Sequence, residues 1–441
     1  MTGIPISPEL INKLSEAAGI PSPGASSIRE IVHLVNVIEE NTGIKFVRME
    51  MGVPGLPAPP IGINAEIAAL KNGVAAVYPD ITGVEPLKSE TSRFIKLFLD
   101  VDISPEGCIP TVGSMMGAMI SFLVANRNDR TKEGTLFIDP GFPVQKQQVK
   151  MLGHDYCSFD IYNFRGKKLK DKLESHLKPG KISSLLFSNP NNPTWICLTE
   201  EELEIIGKLS KKYDVIVIED LAYFGMDFRK DYSIPGMPPF QPTVAHYTDE
   251  YVLLISSSKI FSYAGQRIGI MAISDKLFDR SYPDLLRYYS TDKFGHSAIF
   301  GALYGLSAGV THSVQYGLAA LLKAVNDGDY KYRDDVVEYG EKAKEMKRMF
   351  TSNGFRITYD RDLDEPLADG FYFTISYPGM SGNKLIERLL CYGISAISLA
   401  TTGSERPEGL RACVSLVPRE QFGELEIRLK KFSEDHTIEK N

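Results

Sequence analysis

The chain has 441 residues, of which 43% are hydrophobic, and its 49 basic and 56 acidic residues give a net charge of −7. This length and apolar content allow two domains of ordinary size with substantial cores. The acidic balance, spread without any block of like charges, argues against nucleic acid or an anionic membrane as the main partner.

The five cysteines and seven histidines show neither the spacing of a zinc site nor that of a disulfide framework. We therefore predict reduced thiols and no metal ion. Residues 1–20 lack the basic start and the apolar core of a secretory leader, which favours a cytoplasmic protein.

The first predicted element is a helix. Ser27 and Glu30 form a capping box before "IREIVHLVNVIEENT", and Gly43 suits the end of that helix. Residues 44–75 are rich in glycine and proline, as in "MGVPGLPAPP", and are expected to be irregular.

From about residue 85 to residue 290, short apolar runs alternate with helical patterns. Four runs end in polar or turn residues: "GTLFIDPGFP", "ISSLLFSNPNNP", "DVIVIEDLAYFG" and "EYVLLISSSK". A second capping box, Thr199 and Glu202, opens the helical pattern "LTEEELEIIGKLSKKY". Continuous apolar strands separated by helices are typical of a mostly parallel sheet with helices on both faces, so we predict an α/β fold.

The pattern changes after about residue 327. A charged helical segment, "YRDDVVEYGEKAKEMKRMFTSNG", precedes two predicted strands, "FRITYD" and "GFYFTISY"; the helix "NKLIERLLCYG", the strand "GLRACVSLV" and a helix near "REQFGELEIRLKKF" follow. This order predicts a smaller α+β domain. We place the large domain at residues 76–325 and assign residues 1–75 and 326–441 to a small domain with an N-terminal arm.

One charge-free stretch, Phe294 to Leu322, is long enough to cross a bilayer. Its five glycines and several polar residues favour a buried helix pair at a domain or subunit junction instead.

Polar and aromatic residues cluster where the four apolar runs end. In open α/β sheets, ligands bind outside the carboxyl ends of the strands. The residues at these ends are Phe142, Asn189, Asn191, Asn192, Glu219, Asp220, Tyr223, Ser256 and Lys259. Each type has an ordinary role by itself, since Asp caps helices and Asn-Pro forms turns. Four such ends at one edge of a sheet nevertheless predict a ligand site.

The combined chemistry indicates which ligand would fit. A desolvated lysine condenses with an aldehyde, and a carboxylate keeps a ring nitrogen protonated. Amide and phenol groups bind a ring oxygen, and an aromatic side chain stacks on a flat ring. Arg267, eight residues after Lys259, suits a phosphate. Pyridoxal 5′-phosphate would use all of these groups.

The sequence resembles the class I/II aminotransferases of fold-type I, a family of enzymes dependent on pyridoxal 5′-phosphate, over roughly residues 45–425. The strongest match is "SSSKIFSYAGQRIG", which has the family's Ser-x-x-Lys followed by Arg-x-Gly. The resemblance implies that Lys259 forms the Schiff base with the cofactor. It also implies that Ser256 and Arg267 bind the phosphate.

Two other motifs supply the ring contacts implied by this resemblance. "NPNNPT" matches the family's Asn-Pro signature, which implies that Asn192 lies near the ring oxygen and the substrate. "DLAY" implies that Asp220 pairs with the ring nitrogen and that Tyr223 donates to the ring oxygen. "PGFP" implies that Phe142 covers the ring. Lys259, Asp220 and Tyr223 are then the expected catalytic residues.

Further matches concern the phosphate and the neighbouring subunit. "TVGSMMGAM" resembles the family's glycine-rich turn before a helix, which implies that the backbone amides of Ser114 and Met115 hold the phosphate. "YPDITGVEPL" implies that Tyr78 reaches the phosphate of a neighbouring subunit, so that a homodimer with shared active sites is expected.

The last matches concern the substrate. "GLRACVSL" and "MGVPG" imply that Arg411 binds the substrate α-carboxylate and that Gly52 lies beside it. The implied reaction moves an amino group between an L-amino acid and a 2-oxo acid. A carbon–sulfur lyase and a decarboxylating synthase of the same fold remain alternatives, since they keep the same cofactor contacts.

Two unrelated classes are disfavoured. Ser-x-x-Lys also marks penicillin-binding proteins, but their Ser-Asp-Asn and Lys-Thr-Gly partners do not occur. A non-catalytic sensor would carry an added DNA-binding domain, for which the N-terminal segment leaves no room.

One departure from the family concerns Trp195, which stands where glycine usually follows Asn-Pro-Thr and is the single tryptophan of the chain. We expect a different turn, an added pocket wall or a subunit contact there.

Overall fold

The computed structural model describes residues 4–132 and 134–436, which form two compact units. Unit 1 contains the described residues up to Gly55, residues 192–196 and those from Val337 onward; unit 2 contains the described residues within 56–191 and 197–336. Residues 56–75, assigned above to the small domain, cluster with unit 2, because their helix packs closely against a later one at Gly62 and Leu321.

The helices and strands are numbered in chain order. The strands are β1 (Val47–Arg48), β2 (Cys108–Thr111), β3 (Gly134–Asp139), β4 (Asp155–Asp160), β5 (Ile182–Ser188), β6 (Ile216–Leu221), β7 (Tyr251–Ser256), β8 (Gly269–Ile273), β9 (Arg356–Ile357), β10 (Arg361–Asp362), β11 (Glu365–Pro366), β12 (Tyr372–Ser376), β13 (Ile394–Ser395), β14 (Ile397–Ser398) and β15 (Leu410–Cys413). The helices are α1 (Pro8–Ala17), α2 (Ile28–Thr42), α3 (Pro60–Lys71), α4 (Glu85–Leu99), α5 (Gly113–Ala125), α6 (Pro143–Met151), α7 (Lys168–Leu177), α8 (Glu200–Tyr213), α9 (Ser257–Ile260), α10 (Asp275–Asp279), α11 (Phe294–His296), α12 (Tyr304–Ser307), α13 (His312–Asn326), α14 (Tyr332–Ser352), α15 (Gly382–Cys391) and α16 (Phe422–Asp435).

Unit 2 is built around a seven-stranded sheet with the strand order β2–β8–β7–β6–β5–β3–β4. Only β8 runs against its neighbours, β2 and β7; the other pairs are parallel. The four predicted apolar runs became β3, β5, β6 and β7, and nearly all of their residues are buried. Strands buried in this way need cover on both faces. The predicted α/β class is confirmed.

The register of three strands brings several predicted site residues to one edge of this sheet. Gly269 at the start of β8 pairs with Thr111 at the end of β2 and with Ser256 at the end of β7. Asp220 near the end of β6 pairs with Leu254 of β7. Since parallel strands end at the same edge, the segments that follow β2, β6 and β7 all start there.

Both predicted capping boxes are present. Glu30 N donates to Ser27 Oγ at 3.3 Å and Ser27 N donates to Glu30 Oε2 at 2.7 Å. The corresponding distances between Thr199 and Glu202 are 3.3 and 3.0 Å. Glu202 also forms a buried ion pair with Arg165 at 2.7 Å, so the second box ties the start of α8 to the loop before α7.

Unit 1 contains the smaller α+β structure that was predicted. Its main sheet is antiparallel, with the order β14–β15–β12–β9, and β1 pairs with β13 in a separate parallel ribbon. The predicted strand "FRITYD" is reduced to the two residues of β9.

One expectation was wrong. The glycine- and proline-rich segment 44–75 contains a regular helix, α3, which starts with a proline in its first turn, where proline is tolerated. The charge-free stretch 294–322 is helical, as α11, a π-helical turn (Ser297–Leu303), α12 and α13, and its residues 304–308 are exposed in the single chain. Within the described part of the chain, no helix is long and apolar enough to cross a membrane.

Candidate active site

The loop between β7 and β8 carries Lys259. Ser256 Oγ, at the end of β7, accepts a hydrogen bond from Ser258 N at 3.2 Å and so caps the short helix α9. Ser257 Oγ donates to the carbonyl of Ile268 at 2.6 Å, which closes the loop on itself. Lys259 lies in α9 and is partly exposed. Its position is therefore fixed by hydrogen bonds at both ends of the loop.

Arg267, from the same loop, lies over the first turn of α5. Its Nη1 donates to the carbonyl of Ala264 at 2.8 Å, and its Nη2 would stand 2.5 Å from a Cβ atom on Gly113. Gly113 has φ +67°, so this position requires glycine for its backbone and for the contact. A guanidinium above a helix N-terminus, with the amides of Ser114 and Met115 next to it, is a favourable anion site.

Asp220, at the end of β6, is a buried carboxylate with fixed orientation. Its Oδ2 accepts from Gln145 Nε2 at 2.8 Å and its Oδ1 from Ala222 N at 3.1 Å. Burial raises the pKa of Asp220 to about 6 even though both hydrogen bonds lower it. A cationic ring nitrogen beside it would favour the charged carboxylate.

Gln145 was not predicted from the sequence. It lies in the first turn of α6, three residues after Phe142, which is the residue preceding that helix. Residues three apart share one face of a helix. That spacing was the only available signal, because nothing in the sequence shows that α6 faces β6.

Two predicted residues near Asp220 have different surroundings. Tyr223, three residues later, is buried. Glu219 points to the opposite face of the sheet, since successive strand residues alternate. Its carboxylate accepts from Thr243 Oγ1 at 2.6 Å and Val244 N at 3.0 Å, and burial raises its pKa to about 7. Glu219 therefore holds the loop at residues 243–244 on the other side of the sheet.

The segment after β5 is fixed by its asparagines. Asn191 Nδ2 donates to the carbonyl of Pro140 at 2.8 Å, and Asn189 Oδ1 accepts from Leu198 N at 3.1 Å. Asn192, the predicted ring-oxygen and substrate ligand, is buried and belongs to the short segment of unit 1.

Arg411 of β15 is buried in unit 1 with its guanidinium stacked on an aromatic ring. Its Cζ lies 4.7 Å from the centroid of the Tyr372 ring, and its Nη2 donates to the carbonyl of Glu50 at 2.5 Å. Arg411 Nε has no hydrogen-bond partner among the described residues. The Glu50 carboxylate is bound by Arg48 at 2.8 Å and Ser395 at 2.6 Å, so it is already engaged. A buried guanidinium with an unused donor suits an incoming carboxylate.

Gly52 lies against the same tyrosine. A Cβ atom on Gly52 would overlap the Tyr372 hydroxyl, so the close approach requires glycine. The structure thus brings together Arg411 and Gly52, the two predicted carboxylate residues, with Tyr372 between them. Tyr372 was not predicted, because a tyrosine inside a strand carries no motif.

Trp195 is buried completely and keeps a left-handed backbone, with φ +65°. The backbone at residue 195 therefore has a conformation that glycine readily adopts. Because the indole is buried within unit 1, it is not an exposed surface for another subunit.

Tyr78, in unit 2, is 90% exposed. The carbonyl of its neighbour, Val77, is within 3.0 Å of His312 Nδ1.

Comparison with known proteins identifies the family of the chain. The family model described as "Aminotransferase class I and II" matches residues 46–425. A probable aspartate aminotransferase of Methanocaldococcus jannaschii is 25% identical over 379 residues, covering 83% of this chain and 87% of the relative.

Solved structures share the fold. An alanine aminotransferase from Pyrococcus furiosus has a TM-score of 0.75 at 19% identity, covering 95% of this chain and 99% of that one. An aminotransferase from Mycobacterium tuberculosis also has a TM-score of 0.75, at 16% identity, covering 93% and 96%. With the family model extending over nearly the whole sequence, the chain belongs to the class I and II aminotransferase family.

Proposed function

We propose that this aminotransferase moves an amino group between an L-amino acid and a 2-oxo acid, with pyridoxal 5′-phosphate held by residues of unit 2. One observation carries the proposal: a guanidinium and a buried carboxylate lie at the carboxyl edge of one sheet. The guanidinium is that of Arg267, over Gly113, and the carboxylate is that of Asp220, which accepts a hydrogen bond from Gln145. Phosphate and ring nitrogen are the two charged ends of this cofactor.

The residues present fit that cofactor. Gly113 leaves space beside the guanidinium of Arg267 that a side chain would occupy, and the start of α5 offers backbone amides to a phosphate. Asp220 is a buried acceptor suited to a protonated ring nitrogen, and Lys259 follows from the same edge. Ser256, Phe142, Asn192 and Tyr223 are proposed as the remaining contacts on the basis of the family motifs.

When bound, pyridoxal 5′-phosphate supplies an aldehyde carbon that exchanges one amine for another and a ring that accepts an electron pair. Lys259 Nζ would hold the aldehyde carbon of the cofactor and would serve as the base for the proton on the substrate Cα. The Asp220 carboxylate keeps the proton on the ring nitrogen. Arg411 orients the substrate through its α-carboxylate.

The test of this proposal is reduction with borohydride followed by mass analysis of the peptide that contains Lys259. We expect a pyridoxyl phosphate adduct on that peptide, and a spectral change with an L-amino acid that a 2-oxo acid reverses. In Lys259→Ala the adduct should be absent and amino transfer should fall by about 10³-fold or more. Lys208→Ala, at an exposed lysine of α8, should change neither the adduct nor the rate of amino transfer. An adduct on another lysine would refute the assignment.

We also infer a homodimer with shared active sites. Tyr78 is one of five exposed large apolar side chains between residues 63 and 78; the others, Ile63, Ile67, Leu70 and Val77, are 40 to 60% exposed. Apolar surface of this kind marks an interface, and the family resemblance assigns Tyr78 to the neighbouring site. All five cysteines are free thiols, which supports a reducing, cytoplasmic compartment.

Mixing two inactive variants tests the shared site. Tyr78→Ala and Lys259→Ala chains, unfolded and refolded together, should form hybrid dimers in which one of the two sites has both residues. Random pairing should restore about one quarter of the unmutated activity. Failure of the mixture to regain activity, while each variant still dimerises, would contradict a shared site.

A further inference from the structure

Trp195 combines a costly backbone conformation with a completely buried side chain. Its φ of +65° lies in the left-handed region, which a bulky residue rarely adopts, and its indole is completely buried. Conformations of this kind persist only where the surroundings determine them strongly, and they concentrate at functional sites. The contacts of the indole therefore deserve a functional explanation.

The indole occupies a space that is shaped for it. A Cβ atom on Gly370 would overlap the indole at Cε2, so residue 370 must be glycine while Trp195 is present. On another side, the ring centroids of Trp195 and Tyr372 are 6.2 Å apart with an interplanar angle of 65°. This edge-to-face geometry is the favourable one for aromatic pairs.

Tyr372 also contacts Arg411 and Gly52, the two residues predicted to bind the substrate α-carboxylate. Its ring carries the Arg411 guanidinium at 4.7 Å, and its hydroxyl lies against Gly52. The indole therefore contacts one side of Tyr372, and Arg411 and Gly52 contact two other sides of the same residue. With the indole removed, the ring could rotate toward the vacated space, and the guanidinium would lose its stacking surface.

We propose that Trp195 is a positioning residue for the substrate α-carboxylate: it wedges Tyr372 in place and thereby gives the Arg411 guanidinium a single orientation. The proposal rests on the proposed function in that Arg411 receives the carboxylate. Because the indole is fully buried, Trp195 does so without contact with the substrate. Gly370 provides the space that the indole occupies.

The kinetic consequence follows from the shared carboxylate. Amino acid and oxo acid both carry it, so loss of the wedge weakens both. The carboxylate is held equally before and during proton transfer, and loss of such uniform binding raises KM while leaving kcat unchanged. A purely structural role would instead lower the amount of folded protein without this separation.

Substitution of Trp195 tests the proposal. Trp195→Gly suits the left-handed backbone, and we expect KM for both substrates to rise about tenfold or more with kcat within about threefold. Trp195→Phe, which keeps an aromatic edge toward Tyr372, should recover most of this loss. The control is Phe432→Ala, which removes another fully buried ring of unit 1 and should leave both KM values unchanged. Unchanged KM values in Trp195→Gly, or an equal rise in Phe432→Ala, would overturn the proposal.

A second measurement needs no substitution at residue 195. Trp195 is the only tryptophan, so emission excited at the red edge of the tryptophan band, where the 21 tyrosines absorb little, reports on this cluster. Propionate and 3-phenylpropionate carry a carboxylate but no reacting group. At constant ionic strength they should shift the emission of the cofactor-loaded protein in a saturable way, and Arg411→Lys should abolish the shift. No saturable shift in the unmutated protein would overturn the proposal even if Trp195→Gly failed to fold.

These outcomes separate the inference from the proposed function. Transamination with normal KM values in Trp195→Gly would remove the inference and leave the function intact. If the protein showed an Arg411-dependent fluorescence shift but transferred no amino group, the inference of a carboxylate subsite would stand and the proposed function would be refuted.

Discussion

Gln145 is expected to set the pH range over which Asp220 can hold the cofactor. In the structure, Gln145 Nε2 donates to Asp220 Oδ2 at 2.8 Å inside the protein, and burial raises the pKa of the carboxyl to about 6. Gln145→Leu keeps the size of the side chain and removes the donor. The remaining hydrogen bond, from Ala222 N, cannot compensate for it.

The magnitude follows from the charged hydrogen bond. Such a bond contributes about 1.5–3 kcal/mol, which corresponds to about one to two pKa units. The pKa of Asp220 in Gln145→Leu should therefore rise from about 6 to between about 7 and 8. A carboxyl with a raised pKa is neutral below that pKa, so its attraction for a cationic ring nitrogen is lost as the pH falls.

The assay is titration of cofactor-free protein with pyridoxal 5′-phosphate from pH 5 to pH 9, followed by absorbance. Affinity should fall on the acid side in both proteins, with the midpoint about one to two pH units higher in Gln145→Leu. Gln315→Leu is the matched control, since Gln315 is also buried but bonds Val310 and Val84. Equal midpoints in Gln145→Leu and the unmutated protein would refute the reasoning.

Two further predictions concern unit 2. Gly113→Ala should weaken cofactor binding about tenfold, because its Cβ meets Arg267 Nη2 at 2.5 Å. The control is Gly153→Ala, which has φ +77° and open space around it and should cost only the backbone strain of about 1 kcal/mol in stability. Equal cofactor affinities in the two variants would contradict the role of the contact at Gly113. Glu219 has its pKa raised from 4.5 to about 7, so its contribution to stability is present below pH 4.5 and is lost as the pH rises to about 7. In Glu219→Gln, the decrease in unfolding free energy between pH 5 and pH 8, measured with denaturant, should be smaller by about 2.5 kcal/mol; an unchanged decrease would show that Glu219 does not titrate in this range.

Local patterns were sufficient to predict much of unit 2. Each strand from β5 to β7 is a continuous apolar run with a polar end, and α2 and α8 have capping boxes. The strands β2, β4 and β8 were not predicted. "CIPT" contains a proline, the edge strand β4 has a mixture of buried and exposed residues, and β8 depends on a hairpin partner.

The site divides in a similar way. Lys259, Arg267 and Asp220 stand in short motifs, so their roles can be proposed from the sequence. Gln145 and Tyr372 depend on packing between segments far apart in the chain, since Gln145 and Asp220 are 75 positions apart. Only the folded structure brings such pairs together.

The overlap between residues 195 and 370 also constrains how this sequence arose. With tryptophan at 195, alanine at 370 has no space, so a lineage that began with glycine at 195 and a larger residue at 370 had to lose the side chain at 370 first. For such a lineage the intermediate is a chain with glycine at both positions. Homologues that carry tryptophan here should therefore carry glycine at the second position, whatever their amino acid substrate.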